Sequence, residues 1–331
     1  MRIDPHVHCR DENQSYKTWE FDGRVWQATI AGTLEFAHHQ GIDKLADMPN
    51  LPGPVTTEKR VCDRLKLVPA GEEASYFLYV GLTANPAQIR HAVCCHKQYP
   101  QVIGLKLFTG HSVGPLSVSS YADQKIVFQI LAEEDYQGVL AVHCEKDEYI
   151  YPGQWKPNFP FSHCIARSPL AEDVSVEEII EIAESCKFAG TLHICHVTLA
   201  SSFGRVLLAR QREIIRVSCG FTPHHLIWSN DKLCEKDGLF YKTNPPLRSS
   251  ADVQALRNAL KSDWDWICLE TDHAPHTEAE KLNPPHLSGY PSLILYRKLI
   301  EEHLPSWGVS TERIQQLTGD NIIKNFPKFA A

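Results

Sequence analysis

No stretch of the 331-residue chain is apolar over the ~18–20 residues needed to cross a bilayer, so no helical membrane span is expected. A secretory signal is also missing. The first thirty residues carry Asp4, His6, His8, Arg10, Asp11 and Glu12, which an apolar export core does not tolerate. A cytoplasmic setting is the expectation. Positive charge is in short supply: 33 Lys and Arg stand against 40 Asp and Glu, for a net charge of −7. The basic residues are scattered rather than striped, which argues against nucleic acid as a partner. There is no CxxC pair among the 11 cysteines, whose odd number and irregular spacing, with Cys94 and Cys95 adjacent, do not suggest a disulfide framework. They read as reduced, buried, small hydrophobes. Linkers, repeats and low-complexity tracts are absent too, so residues 1–331 are expected to form one domain.

What the chain does contain is alternation. Short apolar runs at 3–8, 43–48, 76–82, 102–108, 138–144, 191–196, 214–219 and 265–271 have the composition of buried parallel strands. Between them lie helix-like stretches, including 35–40, 86–98, 121–136, 176–187, 200–211 and 251–261, with closing helices at 290–303 and 311–317. Eight strands alternating with helices predict an α/β fold, a (β/α)8 TIM barrel.

Polar residues sort onto one end of that barrel. His6 and His8 are one residue apart in Asp-Pro-His-Val-His-Cys-Arg-Asp (4–11), so in an extended strand both imidazoles share a face. Lys106, His143, His196 and Asp272 follow, each at or near the C-terminal end of a predicted strand, the rim where TIM-barrel enzymes build their sites. Histidine nitrogens and carboxylate oxygens suit zinc-type ions. Cys9, Cys144 and Cys195 each adjoin a candidate histidine. Strand neighbours face opposite sides, so a cysteine and its adjacent ligand are not expected to reach the same ion. By the same rule a regular strand would put His193, three residues before His196, on the opposite face, and it reads as a packed histidine or one that supports a ligand from behind.

These residues, read in order, resemble the amidohydrolase superfamily and within it the dihydroorotases. The resemblance rests on residues 4–11, Met48-Pro49-Asn50, Gly104-Leu105-Lys106-Leu107-Phe108 and His143-Cys144-Glu145. It continues through His193-Ile194-Cys195-His196-Val197-Thr198, Thr222-Pro223-His224-His225-Leu226, Asn244-Pro245-Pro246-Leu247-Arg248 and Asp272-His273-Ala274-Pro275-His276. It implies a metal-dependent hydrolase barrel with two zinc ions per subunit. His6, His8 and Asp272 would hold the more buried ion and His143 and His196 the other, bridged by a carboxylated Lys106. His224, His225 and His273 would be structural or orienting groups. The chain departs from the family pattern in two places. The motif begins at residue 6, so no substantial N-terminal β-sandwich is expected. Gly220 stands where some relatives have a glutamate, which argues against a third metal that uses that carboxylate.

The reaction implied is reversible closure of N-carbamoyl-L-aspartate to L-dihydroorotate in pyrimidine biosynthesis, with Asp272 as general base and acid. Arg10, two residues after His8, can grip the substrate carboxylate with its planar fork. Asn50 and His276 would assist, and Asn244 would contact the ring. The Gly, Ser, Thr and Pro-rich stretch 109–120 suits either a mobile loop or a static connector. The partner expected is a small-molecule substrate, in a homodimer. Two rival readings stand beside this one. A hydantoinase, dihydropyrimidinase or allantoinase shares the metal chemistry but leaves Arg10 and Asn50 unexplained. An inactive scaffold for aspartate transcarbamoylase would have lost ligands, whereas every ligand position here is filled.

Overall fold

The computed structural model describes residues 1–14, 16–112 and 116–330. Its strands are β1 (Ile3–Val7), β2 (Thr18–Phe21), β3 (Arg24–Gln27), β4 (Lys44–Asp47), β5 (Tyr76–Gly81), β6 (Val102–Phe108), β7 (Val139–His143), β8 (Thr191–Ile194), β9 (Arg216–Phe221) and β10 (Ile267–Leu269). Eight of them form one parallel sheet in the order β1-β4-β5-β6-β7-β8-β9-β10. The two ends meet through a parallel bridge from Val7 to His273. His8 N donates to His273 O and Asp272 N to His6 O, both at 2.9 Å. The result is a TIM barrel, as expected, with each predicted strand within a few residues of its place. No helix among the described residues is long and apolar enough to cross a membrane, and all 11 cysteines are free.

The pleat explains both the core and the site. Along β7, Leu140 and Val142 pack outward beneath the helices, while Val139 and Ala141 point into the barrel. The next inward position is His143. Along β6, Leu105 and Leu107 join the outer layer and Lys106 takes the alternate face. Phe326 and Phe329 of the C-terminal segment plug the inner core with Phe77, Tyr79 and Ile103. Apolar side chains therefore fill the lower barrel, and the polar ones cap it.

Several expectations fail locally, each for an identifiable reason. The strands predicted through 196 and 271 stop at Ile194 and Leu269, because His196 and Asp272 adopt left-handed backbone angles of φ 36° and 50°. The antiparallel ribbon β2–β3 was not anticipated. Its turn, Asp22-Gly23 with φ of 51° and 70°, is a hairpin signal that the sequence carries. Apart from the barrel, this ribbon is the only sheet among the described residues. Within stretch 109–120, residues 113–115 lie outside the described residues. Val118 beyond them is buried, and its N–H donates to Phe108 O at 2.8 Å.

A buried ion pair fixes the chain leaving β1. Asp47 at the end of β4 accepts from Arg64 Nη2 at 2.5 Å, from Tyr76 Oη at 2.7 Å and from Cys9 N at 2.8 Å. Arg64, wholly buried in the helix Glu58–Leu65, also donates to Cys9 O, Arg10 O and Asp11 Oδ1. The guanidinium thus holds the segment that presents His8 and Arg10. Arg64→Met strands the Asp47 charge and should cost about 3–5 kcal/mol in urea-unfolding free energy. Arg64→Met/Asp47→Leu should recover part of that loss. A loss below about 1 kcal/mol, the range of surface pairs, would contradict this account.

Candidate metal centre

One cavity at the C-terminal end of the barrel collects most of the residues singled out by sequence. His6, His8, His143, His196 and Asp272 line it together with Arg10, Asn50, Asn244 and His276. Lys106 is not part of the wall; it lies fully buried beside the cluster.

The donor atoms converge in two groups. His6 Nε2 and His8 Nε2 lie 3.3 and 2.8 Å from the same oxygen, Asp272 Oδ1. Ligand atoms of these three side chains all fall within 4.8 Å of one another. In the second group His143 Nδ1 faces His196 Nε2 at 3.1 Å. Outer partners decide which ring nitrogens carry protons. His8 lies between two acceptors, Asn50 Oδ1 2.9 Å from Nδ1 and Asp272 Oδ1 2.8 Å from Nε2; with the proton on Nδ1, Nε2 is bare toward the carboxylate. Glu145 Oε2 accepts from His143 Nε2 at 2.9 Å, leaving Nδ1 bare toward His196. In that tautomer nitrogen and carboxylate both present electron pairs, and a cation between them would satisfy both. His6, His8 and Asp272 are thus a set that could hold a metal ion, with His143 and His196 as two further donors beside it.

The electrostatics agree. Burial lowers the pKa values of His8, His143 and His196 below the ordinary imidazole value, so these rings are neutral. Burial also opposes charge on His6, but Glu270 and Asp272 outweigh it and raise its pKa well above the ordinary value. The two carboxylates therefore create a field that a cation satisfies. Burial alone would raise the Asp272 carboxyl; His6 and His8 hold it well below the usual range.

Lys106 Nζ donates to Cys195 Sγ at 2.9 Å, and among the described residues no carboxylate stands within ion-pair distance. A buried amine without an anion is costly. Conversion to a carbamate would make it an anionic oxygen ligand, which suits its position.

Arg10 lies beyond β1 and pairs by backbone with Ala28 O. Its side chain is 5% exposed, Nη2 reaches only Pro275 O at 3.4 Å and Nε has no partner. Asp11 is taken by Arg60 and Arg64, so no Arg10–Asp11 surface pair forms. Asn244 Oδ1 receives His163 Nε2 at 3.1 Å. His276 sits with Nε2 3.0 Å from Ser288 O and Nδ1 3.3 Å from Lys17 Nζ. Burial and the nearby cations Arg10, Lys17 and Lys281 bring its pKa to about 3, which makes it a neutral contact.

Cys9 and Cys144 pack in the outer core, as strand alternation predicts. Cys195 does not follow the expectation. The left-handed turn at His196 lets both residues face inward, and His6, Cys195 and Glu270 form a second set of donor atoms within 4.8 Å. His193 takes the packed, supporting place read for it, on the inner side of the strand. It is buried against Ser218 Oγ at 2.9 Å and Glu270 Oε2 at 3.1 Å. His225 bonds Thr222 Oγ1 and Pro245 O, and His273 packs edge-on to Trp19, both structural positions. Sequence reasoning missed Glu145, gripped by Arg167 at 2.6–3.1 Å, and Glu270. Each lies two residues from a candidate ligand, just past the end of a barrel strand.

No family model matches the chain. It is 28% identical over 329 residues to a dihydroorotase of Methanosphaera stadtmanae, covering 96% of this chain and 68% of that protein. A dihydroorotase of Pyrococcus horikoshii is 30% identical over 285 residues, covering 84% of this chain and 55% of the relative. Among solved structures, L-hydantoinase (dihydropyrimidinase) from Arthrobacter aurescens superposes with a TM-score of 0.81 at 21% identity, over 98% of this chain and 70% of that one. Dihydroorotase from Saccharomyces cerevisiae, in complex with 5-fluoroorotic acid, gives 0.75 at 19% identity, over 99% and 84%. Both share the fold.

The Asn50–His8 contact can be tested apart from any reaction. Asn50→Ala should leave the fold intact and weaken zinc retention about 10–100-fold, the usual effect of removing a ligand's outer partner. Unchanged affinity in a chelator competition would show that Asn50 does not orient His8.

Proposed function

We propose that the chain is a member of the amidohydrolase superfamily, related to the dihydroorotases it resembles, and that it is a zinc-dependent dihydroorotase. It would interconvert N-carbamoyl-L-aspartate and L-dihydroorotate. The observation that carries this reading is Arg10: a buried guanidinium on the wall of the donor-lined cavity, with no carboxylate in ion-pair distance among the described residues. Leaving such a charge unmatched is expensive, and a substrate carboxylate completes it with a bidentate pair.

In this proposal His6, His8 and Asp272 would hold one zinc and His143 and His196 the other, with a carboxylated Lys106 as a further anionic ligand. When bound, such a pair supplies Lewis acidity and an activated water. The protein groups do the rest. In the hydrolytic direction, Asp272, kept ionised by His6 and His8, takes the proton of the attacking water and hands it to the leaving amide nitrogen. Ring closure runs the same transfers in reverse. Arg10 fixes the substrate through its carboxylate. Asn244 and neutral His276 complete the wall, with the His276 Nε2–H available once Ser288 O releases it. Asn50 acts chiefly through His8. The wider expectation is a cytoplasmic homodimer acting on this small molecule.

The hydantoinase reading shares the fold, but substrates without the carboxylate leave Arg10 unmatched. The scaffold reading is disfavoured by the convergent donor set. Arg10→Met separates the enzyme readings. A charge-assisted hydrogen bond is worth about 1.5–3 kcal/mol, so kcat/KM for dihydroorotate should fall at least tenfold relative to that for dihydrouracil. An unchanged ratio would remove Arg10 from substrate selection, and a wild type preferring dihydrouracil would assign the hydantoinase class.

A further inference from the structure

At the inward position of β9 beside the donor cluster, the chain has no side chain at all, only Gly220. A Cβ placed there would stand 2.1 Å from Glu270 Cδ and 2.2 and 2.6 Å from its two oxygens. Such distances do not occur between real atoms, and the obstacle is a fully buried carboxylate, not a flexible tip. Glu270, from the chain leaving β10 on the neighbouring strand, therefore occupies the volume that a residue-220 side chain would fill.

From that volume the carboxylate reaches both groups of donors. Oε1 accepts the backbone N–H of His196, the residue held at φ 36°. Oε2 accepts from His193 Nε2 at 3.1 Å and lies 3.5 Å from His6 Nδ1, a buried nitrogen with no other hydrogen-bond partner. His193 is in turn braced by Ser218 Oγ at 2.9 Å. Metal-binding histidines generally give their second nitrogen to an outer acceptor that fixes tautomer and ring angle. His8 has Asn50 and His143 has Glu145. Glu270 is the acceptor placed for His6. It also holds the strained backbone of His196, a conformation that persists only when its surroundings over-determine it.

We propose that Glu270 is a positioning residue for both halves of the metal centre, and that glycine is required at 220 to vacate the space its carboxylate fills. The inference rests on the metal-centre reading. It makes an unusual demand: the carboxylate matters, but the strand that delivers it does not. Moving it from β10 to β9 by the exchange Gly220→Glu/Glu270→Ala should return a carboxylate to the same volume.

The test measures zinc affinity, by competition with a chromophoric chelator, on proteins checked for folding by circular dichroism. Glu270→Gln, close in size, keeps the test valid if Gly220→Ala fails to fold. Glu270→Gln, Glu270→Ala and Gly220→Ala should each weaken zinc binding about 10–100-fold. The exchange variant should regain most of what Glu270→Ala loses. A purely structural role would lower melting temperature without changing zinc affinity, and the exchange would not rescue it. Wild-type affinity in Glu270→Gln, or an exchange variant as weak as Glu270→Ala, would overturn the proposal. A wild-type chain that takes up no zinc would instead overturn the metal centre on which it stands.

Discussion

Unprotonated lone pairs that face one another in a dry space repel unless a cation lies between them. That constraint organises the upper half of this barrel. Asn50 and Glu145 offer outward acceptors to His8 and His143, whose other ring nitrogens face Asp272 and His196. The outer partners are as specific as the donors. Glu145 is itself clamped by Arg167, and Asp4 holds the backbone and hydroxyl of Thr271, one residue before Asp272. Remove any of these and the rings can rotate or swap protons, and the arrangement loses its reason to bind metal.

The other uncompensated charge is Arg10. Two of the buried arginines, Arg64 and Arg10, stand in contrast. Arg64 has its carboxylates and several backbone carbonyls, and so anchors the chain. Arg10, held in place partly by Arg64, is left without a carboxylate partner among the described residues. One guanidinium stabilises the fold; the other faces the cavity, where the proposed function places a substrate anion. The pairing shows how stability and recognition divide between neighbouring residues of the same type.

Much of this was legible in the sequence because strand alternation is strict. The pleat that sends Leu140 and Val142 outward sends His143 in, and the same rule places Lys106. Cys9 and Cys144 also obey it. The rule breaks where the backbone turns left-handed, at His196, and there the expectation for Cys195 fails, while His193 is buried behind the site against Ser218 and Glu270. Nothing in the residue types announces that turn. Glu270 was harder still, since its position makes sense only with Gly220 on the adjacent strand, a pairing that emerges from the barrel's register. The Asp-Gly turn of the β2–β3 ribbon, by contrast, was readable from local sequence.

The most direct measurement is a crystal structure of zinc-loaded protein with anomalous diffraction recorded at the zinc edge. The account predicts two anomalous peaks some ~3.5–4 Å apart, the usual two-metal separation, one against His6, His8 and Asp272 and the other against His143 and His196. Density for a carboxyl group on Lys106 Nζ should join them, with the mass of one carbon dioxide added to that residue. An unmodified Lys106 still bonded to Cys195, with no anomalous peak among these histidines, would contradict it.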